Sequence, residues 1–205
     1  SIEGYQRSPS AQTATLIPEV AMVIGKATLP AETEQLLQRA AVDYADSAGF
    51  AEAMGTLRLT QERFEEAVAW FQQGEELAPG RVRTLNNLAM AMSEIPMSQA
   101  QALAHIERAI ELQGRMPELL DTLGTVLYRL KRYDEARKAL TEATRHSADS
   151  HFQMHLAQVA LAQKDLEAAK AAWKKMDLQT IDEQTLSSSD RKLLAELKTR
   201  FSETL

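Results

Sequence analysis

His151 and His155 stand four residues apart, with His146 close before them. On one helix, two imidazoles at i,i+4 can face a single metal ion. Here no Glu lies between them to act as base, and no third ligand or closed pocket is evident, so no metal site is expected. The chain has no cysteine, which excludes thiolate zinc sites and disulfides. Glu118 and Asp121 share a helix face at i,i+3. They can receive a basic side chain of a partner or pair locally with Arg83. No Ser-His-Asp arrangement, Gly-rich phosphate loop or paired-carboxylate site can be drawn. The expectation is therefore no catalytic residue, no cofactor and no enzyme activity in this segment.

The elements that would hold these residues are helices, and they recur. Small residues repeat close to every 34 positions: Gly55 and Ala67, Ala89 and Ala102, Gly124 and Ala136, Ala157 and Ala169. A period of that length signals stacked supersecondary units rather than one globular core. In residues 117–149, Leu120, Leu123, Gly124 and Leu127 form one apolar helical face. After a polar break at Lys131-Arg132, Tyr133, Ala136, Leu140 and Ala143 form a second. Two helices joined by so short a turn pack antiparallel. Gly124 and Ala136 let the two backbones approach. Residues 48–81 fit the same template through Met54, Gly55, Phe64, Ala67, Phe71 and Pro79, with Pro79-Gly80 as the stop. Residues 82–116 fit with one inserted residue near Pro96, through Leu85, Leu88, Ala89, Ala102, Ile106 and Ala109. Residues 150–183 fit through Leu156, Ala157, Ala160, Leu166, Ala169 and Trp173. Ser98/Gln101 and Ser150/Gln153 have capping-box spacing.

A degenerate fifth unit spans 14–47, with Ile17, Val20, Ala21 and Ile24 in one helix, Leu37 and Ala40 in the next, and Pro18 and Pro30 near the helix starts. Residues 1–13 are polar and aperiodic and are expected to be disordered. After Ser187-Ser188-Ser189-Asp190, a helix-start signal, Leu193, Leu194, Leu197 and Phe201 make one apolar stripe over 184–205. A stacked array needs such a capping element at its end.

Net charge is -6 with 29 acids against 23 bases, so the overall field does not draw nucleic acid or an anionic membrane. The longest apolar stretch, 15–24, contains Pro18 and Glu19 and is far shorter than the roughly 20 residues that span a bilayer. No secretory signal pattern opens the chain. It begins with Ser rather than Met, as expected of a piece of a longer protein.

These residues resemble the tetratricopeptide repeat, whose signature places a bulky residue and Leu-Gly in the first helix, then Ala, an aromatic or bulky residue, Ala and a closing Pro in the second. Leu120, Leu123-Gly124, Tyr133-Asp134-Glu135-Ala136, Leu140 and Ala143 match, as do Met54-Gly55, Phe64-Glu65-Glu66-Ala67, Phe71 and Pro79. The match is strong over 48–176 and weak over 14–47. Departures are Ala51 and Gln153 for the bulky residue, Gly74 for an Ala, and no closing Pro in three repeats. The resemblance implies an all-α solenoid of antiparallel helix pairs, a right-handed superhelix whose first helices line a concave groove. It further implies a non-enzymatic scaffold that binds a peptide segment or partner protein there.

Carried over by register, the resemblance nominates groove residues Glu52, Thr56 and Leu59, then Arg83, Asn86, Asn87 and Met90. Glu118, Asp121, Thr125 and Tyr128 follow, and then His151, Met154 and Gln158. Met90 and Met154 suit adaptable apolar contact. His151 is the groove-facing imidazole, and His155 packs near the next helix. Some members of the family clamp the C-terminal carboxylate of chaperone tails. Asn87 holds the Asn place of that clamp, but Glu52, Glu118 and Thr122 hold the basic places, so no chaperone-tail binding is expected. Trp173 takes a bulky core position, whereas Trp70 is either more exposed or packed between repeats. Two alternatives stand beside the scaffold reading: a self-association module, giving a homo-oligomer, or the docking or regulatory domain of a longer enzyme.

Overall fold

The structure, a computed structural model, describes residues 29–201. The chain divides into two compact units, Ser1–Leu112 and Gln113–Leu205. In the first lie α1 (Ala31–Asp43), α2 (Ala48–Thr60), α3 (Phe64–Leu77), α4 (Val82–Ser93) and α5 (Gln99–Gln113), the last ending at the unit boundary. In the second lie α6 (Pro117–Arg129), α7 (Tyr133–His146), α8 (Ser150–Ala162), α9 (Leu166–Trp173) and α10 (Ser188–Phe201). No strand occurs among the described residues, so the fold is all-α and built of successive helix pairs. Of the degenerate unit, the segment holding Ile17, Pro18, Val20, Ala21 and Ile24 lies outside the described residues, as does 1–13. Its second helix is α1, with Pro30 at the N-cap position and Leu37 and Ala40 fully buried.

The close crossing in two of the pairs, α2–α3 and α6–α7, is made by one large side chain seated on one glycine. A Cβ added at Gly55 would lie 2.6 Å from the Phe71 ring, and one at Gly124 would sit 2.8 Å from Leu140 Cδ2. The glycine of the first helix therefore faces the bulky residue of the second, one turn beyond the small Ala67 or Ala136. Gly74 is different, because its nearest neighbours, Thr84 Cγ2 and Ala51 Cβ, are 3.6 and 3.7 Å from an added Cβ. Its place tolerates the alanine that the repeat pattern calls for.

The turn between paired helices recurs three times. Glu62, Lys131 and Lys164 adopt φ of 58, 61 and 62°. Each donates its amide to the carbonyl three residues back, and the next residue donates to the carbonyl five back, as in Arg63 N to Arg58 O, 2.9 Å. This is a left-handed helix stop of the Schellman type, closed here without glycine. The inserted residue of 82–116 appears as a 3-10 turn at Pro96–Ser98 that runs into α5. Ser98 thus lies inside that turn and not at a cap. Ser150 is also not the cap of α8. Asp149 accepts from His151 N at 2.8 Å, while Ser150 Oγ is engaged with Asp177 and Thr180.

Buried ions orient the helices of each unit. Arg58, 4% exposed, occupies an interior place on α2. Glu34 of α1 receives both of its terminal nitrogens, at 2.9 and 2.6 Å, and also Arg63 Nη1 at 2.9 Å. Burial pushes the Glu34 carboxyl up, but the bonds and charge of Arg58, then Arg63, outweigh this and hold it below its ordinary value. In the second unit His155 lies between two carboxylates. Its Nδ1 is 2.7 Å from Asp121 Oδ1 on α6, and its Nε2 is 3.3 Å from Asp190 Oδ1 on α10. Burial opposes charge on the imidazole, yet the two acids win and raise its pKa to about 10. Asp190 is raised by burial but lowered more by His155 and by the Ser187 hydroxyl. A doubly donating imidazolium thus ties α6, α8 and the start of α10. Ser187 Oγ caps that start by accepting from Asp190 N at 3.0 Å. Behind it, Leu193, Leu194, Leu197 and Phe201 join Trp173, Met154 and Ala157 in one core.

Two outcomes are expected. Gly55→Ala and Gly124→Ala lose about 1–3 kcal/mol of stability by overpacking, whereas Gly74→Ala gains up to about 1 kcal/mol of helix propensity. Urea unfolding of the three variants measures this. The clamp also sets a pH window. His155 is raised above its unfolded 6.5, so its contribution is complete below that pH and is lost as pH climbs toward about 10. Asp190 is held below 3.8, so its contribution is present above that value and lost in acid. The urea midpoint of the second unit should therefore decline from pH 6.5 to about 10, and His155→Gln should flatten that decline. An unchanged slope in the variant would dismiss the clamp as its cause.

Candidate functional site

With α10 fixed by the clamp and the core, its other flank walls a cleft of about 440 Å³. Tyr128 of α6 and Gln158, Leu161 and Ala162 of α8 line one side; Ser189, Lys192, Leu193, Glu196 and Arg200 of α10 line the other. The α10 residues recur at helical spacing along one face. Leu193 shares both the cleft and the core. Arg200 Nη2 donates to Glu196 Oε1 at 3.1 Å, a one-turn pair. Lys192 is exposed. The cleft thus combines an aliphatic floor with a cationic rim and a carboxamide. Tyr128 is half-buried and its ring lies 5.7 Å from that of Tyr133. Burial, then the neighbouring Tyr133 and Glu196, raise its phenol above the ordinary value, although Arg129 counters in part. It therefore remains a neutral hydroxyl able to donate and accept.

The expected groove residues fall into distinct environments. Tyr128 and Gln158 are brought together in the cleft. Glu118 is exposed and Thr125 half-buried on the same helix, α6. Asp121 does not face a partner or pair with Arg83; it is committed to His155. His151 bonds the N-cap Asp149 through Nδ1 at 2.9 Å, two residues away, so the two imidazoles do not converge. No group of three or more metal-binding side chains is assembled among the described residues. Met154, expected as an apolar groove contact, is fully buried in the core beside Trp173. Its place on α8 is turned inward, so it presents no surface to a ligand.

In the first unit, Glu52 is 1% exposed, against the expectation of an open groove acid. Its carboxylate meets Arg81 Nη1 at 3.2 Å and Arg83 Nε, so the local pairing open to the acids of α6 falls to Glu52. Thr56 donates its hydroxyl to Glu52 O at 2.9 Å. Asn86 Nδ2 reaches Asn87 Oδ1 at 3.4 Å, and Met90 is 42% exposed. Trp70 packs edge-on against Phe50, ring centres 5.9 Å apart, in the core with Leu37 and Met54. Trp173 is buried as its core register requires.

The α10 side chains, and Arg81, were not among the sequence candidates. A signal existed for α10: Lys192, Glu196 and Arg200 repeat every four residues beside the apolar stripe.

Comparison with known proteins agrees with this architecture. Residues 122–174 match the family model of the tetratricopeptide repeat. No curated protein matches the chain. Among solved structures, the thermophilic tetratricopeptide protein TTC0263 of Thermus thermophilus is similar at a TM-score of 0.72 and 16% identity, over 94% of this chain and 100% of that one. A tetratricopeptide repeat protein of Parabacteroides merdae gives 0.74 at 11% identity, over 98% and 77%. YrrB, described as having an unusual peptide-binding site, gives 0.61 at 14%, over 96% of each chain. At such identities the likeness is one of fold, and the fold agrees with the matched repeat and with the helix pairs described above. Residues 122–174 thus carry the tetratricopeptide repeat, and the chain shares the fold of tetratricopeptide-repeat proteins.

Proposed function

We propose that this chain is a non-enzymatic scaffold that binds an extended segment of a protein partner through first-helix residues of its second unit, with the cleft between α6, α8 and α10 as the principal contact. A tetratricopeptide fold is in general a protein–protein interaction scaffold. The observation that carries the finer reading is the cleft, where Tyr128 and Gln158 from successive first helices meet Lys192 and Arg200. Its size suits a few side chains of a peptide. The Leu161–Leu193 floor takes an apolar side chain. Gln158 and the Tyr128 hydroxyl can bond a peptide backbone in both senses.

The reading excludes a chaperone-tail clamp. Burial of Glu52 between two arginines cancels the repulsion expected from it, so the exclusion rests instead on the other two basic places, Glu118 and Thr122, which hold no cation. Thr122 is buried and donates to Glu118 O at 3.2 Å, and Glu118 is an exposed acid. Neither can hold a terminal carboxylate. A chaperone C-terminal peptide is accordingly expected to show no micromolar binding, about -8 kcal/mol, by fluorescence anisotropy.

Peptides selected from a random display library against the whole chain provide the main test. The best are expected to bind at micromolar affinity and to lose at least tenfold, about 1.4 kcal/mol, with Tyr128→Ala or Lys192→Glu. Lys192 is exposed, so Lys192→Glu should keep the parental urea midpoint, whereas Tyr128 is half-buried against Tyr133 and its variant should lose some stability while staying folded. Asp121 is unsuitable for the purpose, because its loss would loosen the clamp on α10. Selected peptides that bind both variants as tightly as the parent would place recognition elsewhere.

A further inference from the structure

We propose that Arg81 and Arg83, drawn together by the buried carboxylate of Glu52, form a binding site for an oxyanion carried by a partner: a phosphate ester or an acidic side chain. The site lies in the first unit and stands independently of the cleft. Its basis is a charge imbalance at a built position. Two guanidinium groups share one carboxylate, and neither arginine has another ion-pair partner among the described residues. The Glu52 oxygens are shut away from solvent. A buried carboxylate cannot be left uncompensated, so it holds both cations close. One positive charge remains in excess.

That excess is directed outward. Arg83 meets Glu52 through Nε, which leaves both of its Nη groups, on a side chain 75% exposed. Arg81 uses Nη1 and keeps Nη2 and Nε, on a side chain 43% exposed. Planar guanidinium forks match carboxylate and phosphate oxygens in pairs. Glu52 has already restricted both side chains, so less rotamer entropy is lost when an anion arrives. Asn87, one turn along α4 from Arg83, takes a long bond on Oδ1 from Asn86 and retains its Nδ2 donor on the same helix face. The chain is acidic as a whole, at -6, so this cationic spot is local and not part of a basic surface.

The test uses the full chain, nitrogen-15 labelled, and follows the arginine Nε–Hε resonances during titration with inorganic phosphate. Two capped pentapeptides follow, Gly-Gly-phosphoserine-Gly-Gly and its glutamate analogue. Saturable shifts of the Arg83 signal are expected. Binding should weaken at least fivefold in Arg81→Ala and Arg83→Ala, and Arg83→Lys should recover only part of it, because it restores charge without the fork. Removing Arg83 alone strands a buried charge, so the double variant Glu52→Gln/Arg83→Ala accompanies it. A parental urea midpoint with lost binding in that variant supports the site. The tighter of the two peptides identifies the source of the oxyanion. Shifts that rise linearly without saturation, or equal affinity in the arginine variants, would overturn the assignment and leave the trio a purely structural ion cluster.

Discussion

The seating of a large side chain on a glycine sets the geometry of one helix pair in each unit, α2–α3 and α6–α7, and what is built on them follows from it. Phe71 over Gly55 and Leu140 over Gly124 leave no room for a methyl group. Such contacts are stiff, because packed interiors do not deform continuously. They therefore fix both the distance and the rotation of the two helices in a pair. Rotation matters more for function. It decides which side chains of the first helix turn toward its partner and which remain on the surface. With Gly124 pinned, Leu120 and Leu127 are buried and Tyr128 is left half-exposed at the cleft. A looser crossing would not give the same side chains the same neighbours.

Hydrophobic contact alone does not distinguish one helix register from the next with such economy. This chain adds buried ions between elements: Arg58 with Glu34, Glu52 with two arginines, His155 with two aspartates. Burying charge is costly, and net stabilisation over a well-packed apolar core is small. Their use is directional. A forked guanidinium or a doubly donating imidazolium accepts few orientations of its partner, so each cluster selects one arrangement. In the second unit this selection places α10, and α10 then supplies one whole wall of the cleft.

Much of the fold was readable in the residues. The 34-residue spacing of small positions, the apolar faces and the Ser187 start correspond to physical necessities that leave periodic traces. The turns were less readable. Left-handed backbone at Glu62, Lys131 and Lys164 carries no glycine to announce it. Serine-based capping boxes at Ser98 and Ser150 were spacing without geometry, since a 3-10 turn and Asp149 take those roles. Side-chain direction was the weakest reading. Met154 and Glu52 occupy first-helix positions that carry surface residues in the general pattern, yet both are buried. Register places a Cα, while burial depends on what the neighbouring segments bring: Arg81 ends the repeat that holds Glu52, and Arg83 comes from the next.

The same fact explains why the candidate surface is charged where it is. A groove position filled by an acid becomes an interior anion once neighbouring cations cover it, and the outward face of those cations becomes the new surface. Glu52 thus shapes that surface without lying on it, through the arginines it holds. His155 acts comparably on α10, although its partners are anions and its product is the position of a helix. In both cases the buried ion converts a loosely specified helix surface into donors with fixed direction. That conversion suits a repeat scaffold, because the helix pairs are alike in backbone. Differences between them must be written in side chains whose orientation the core cannot set.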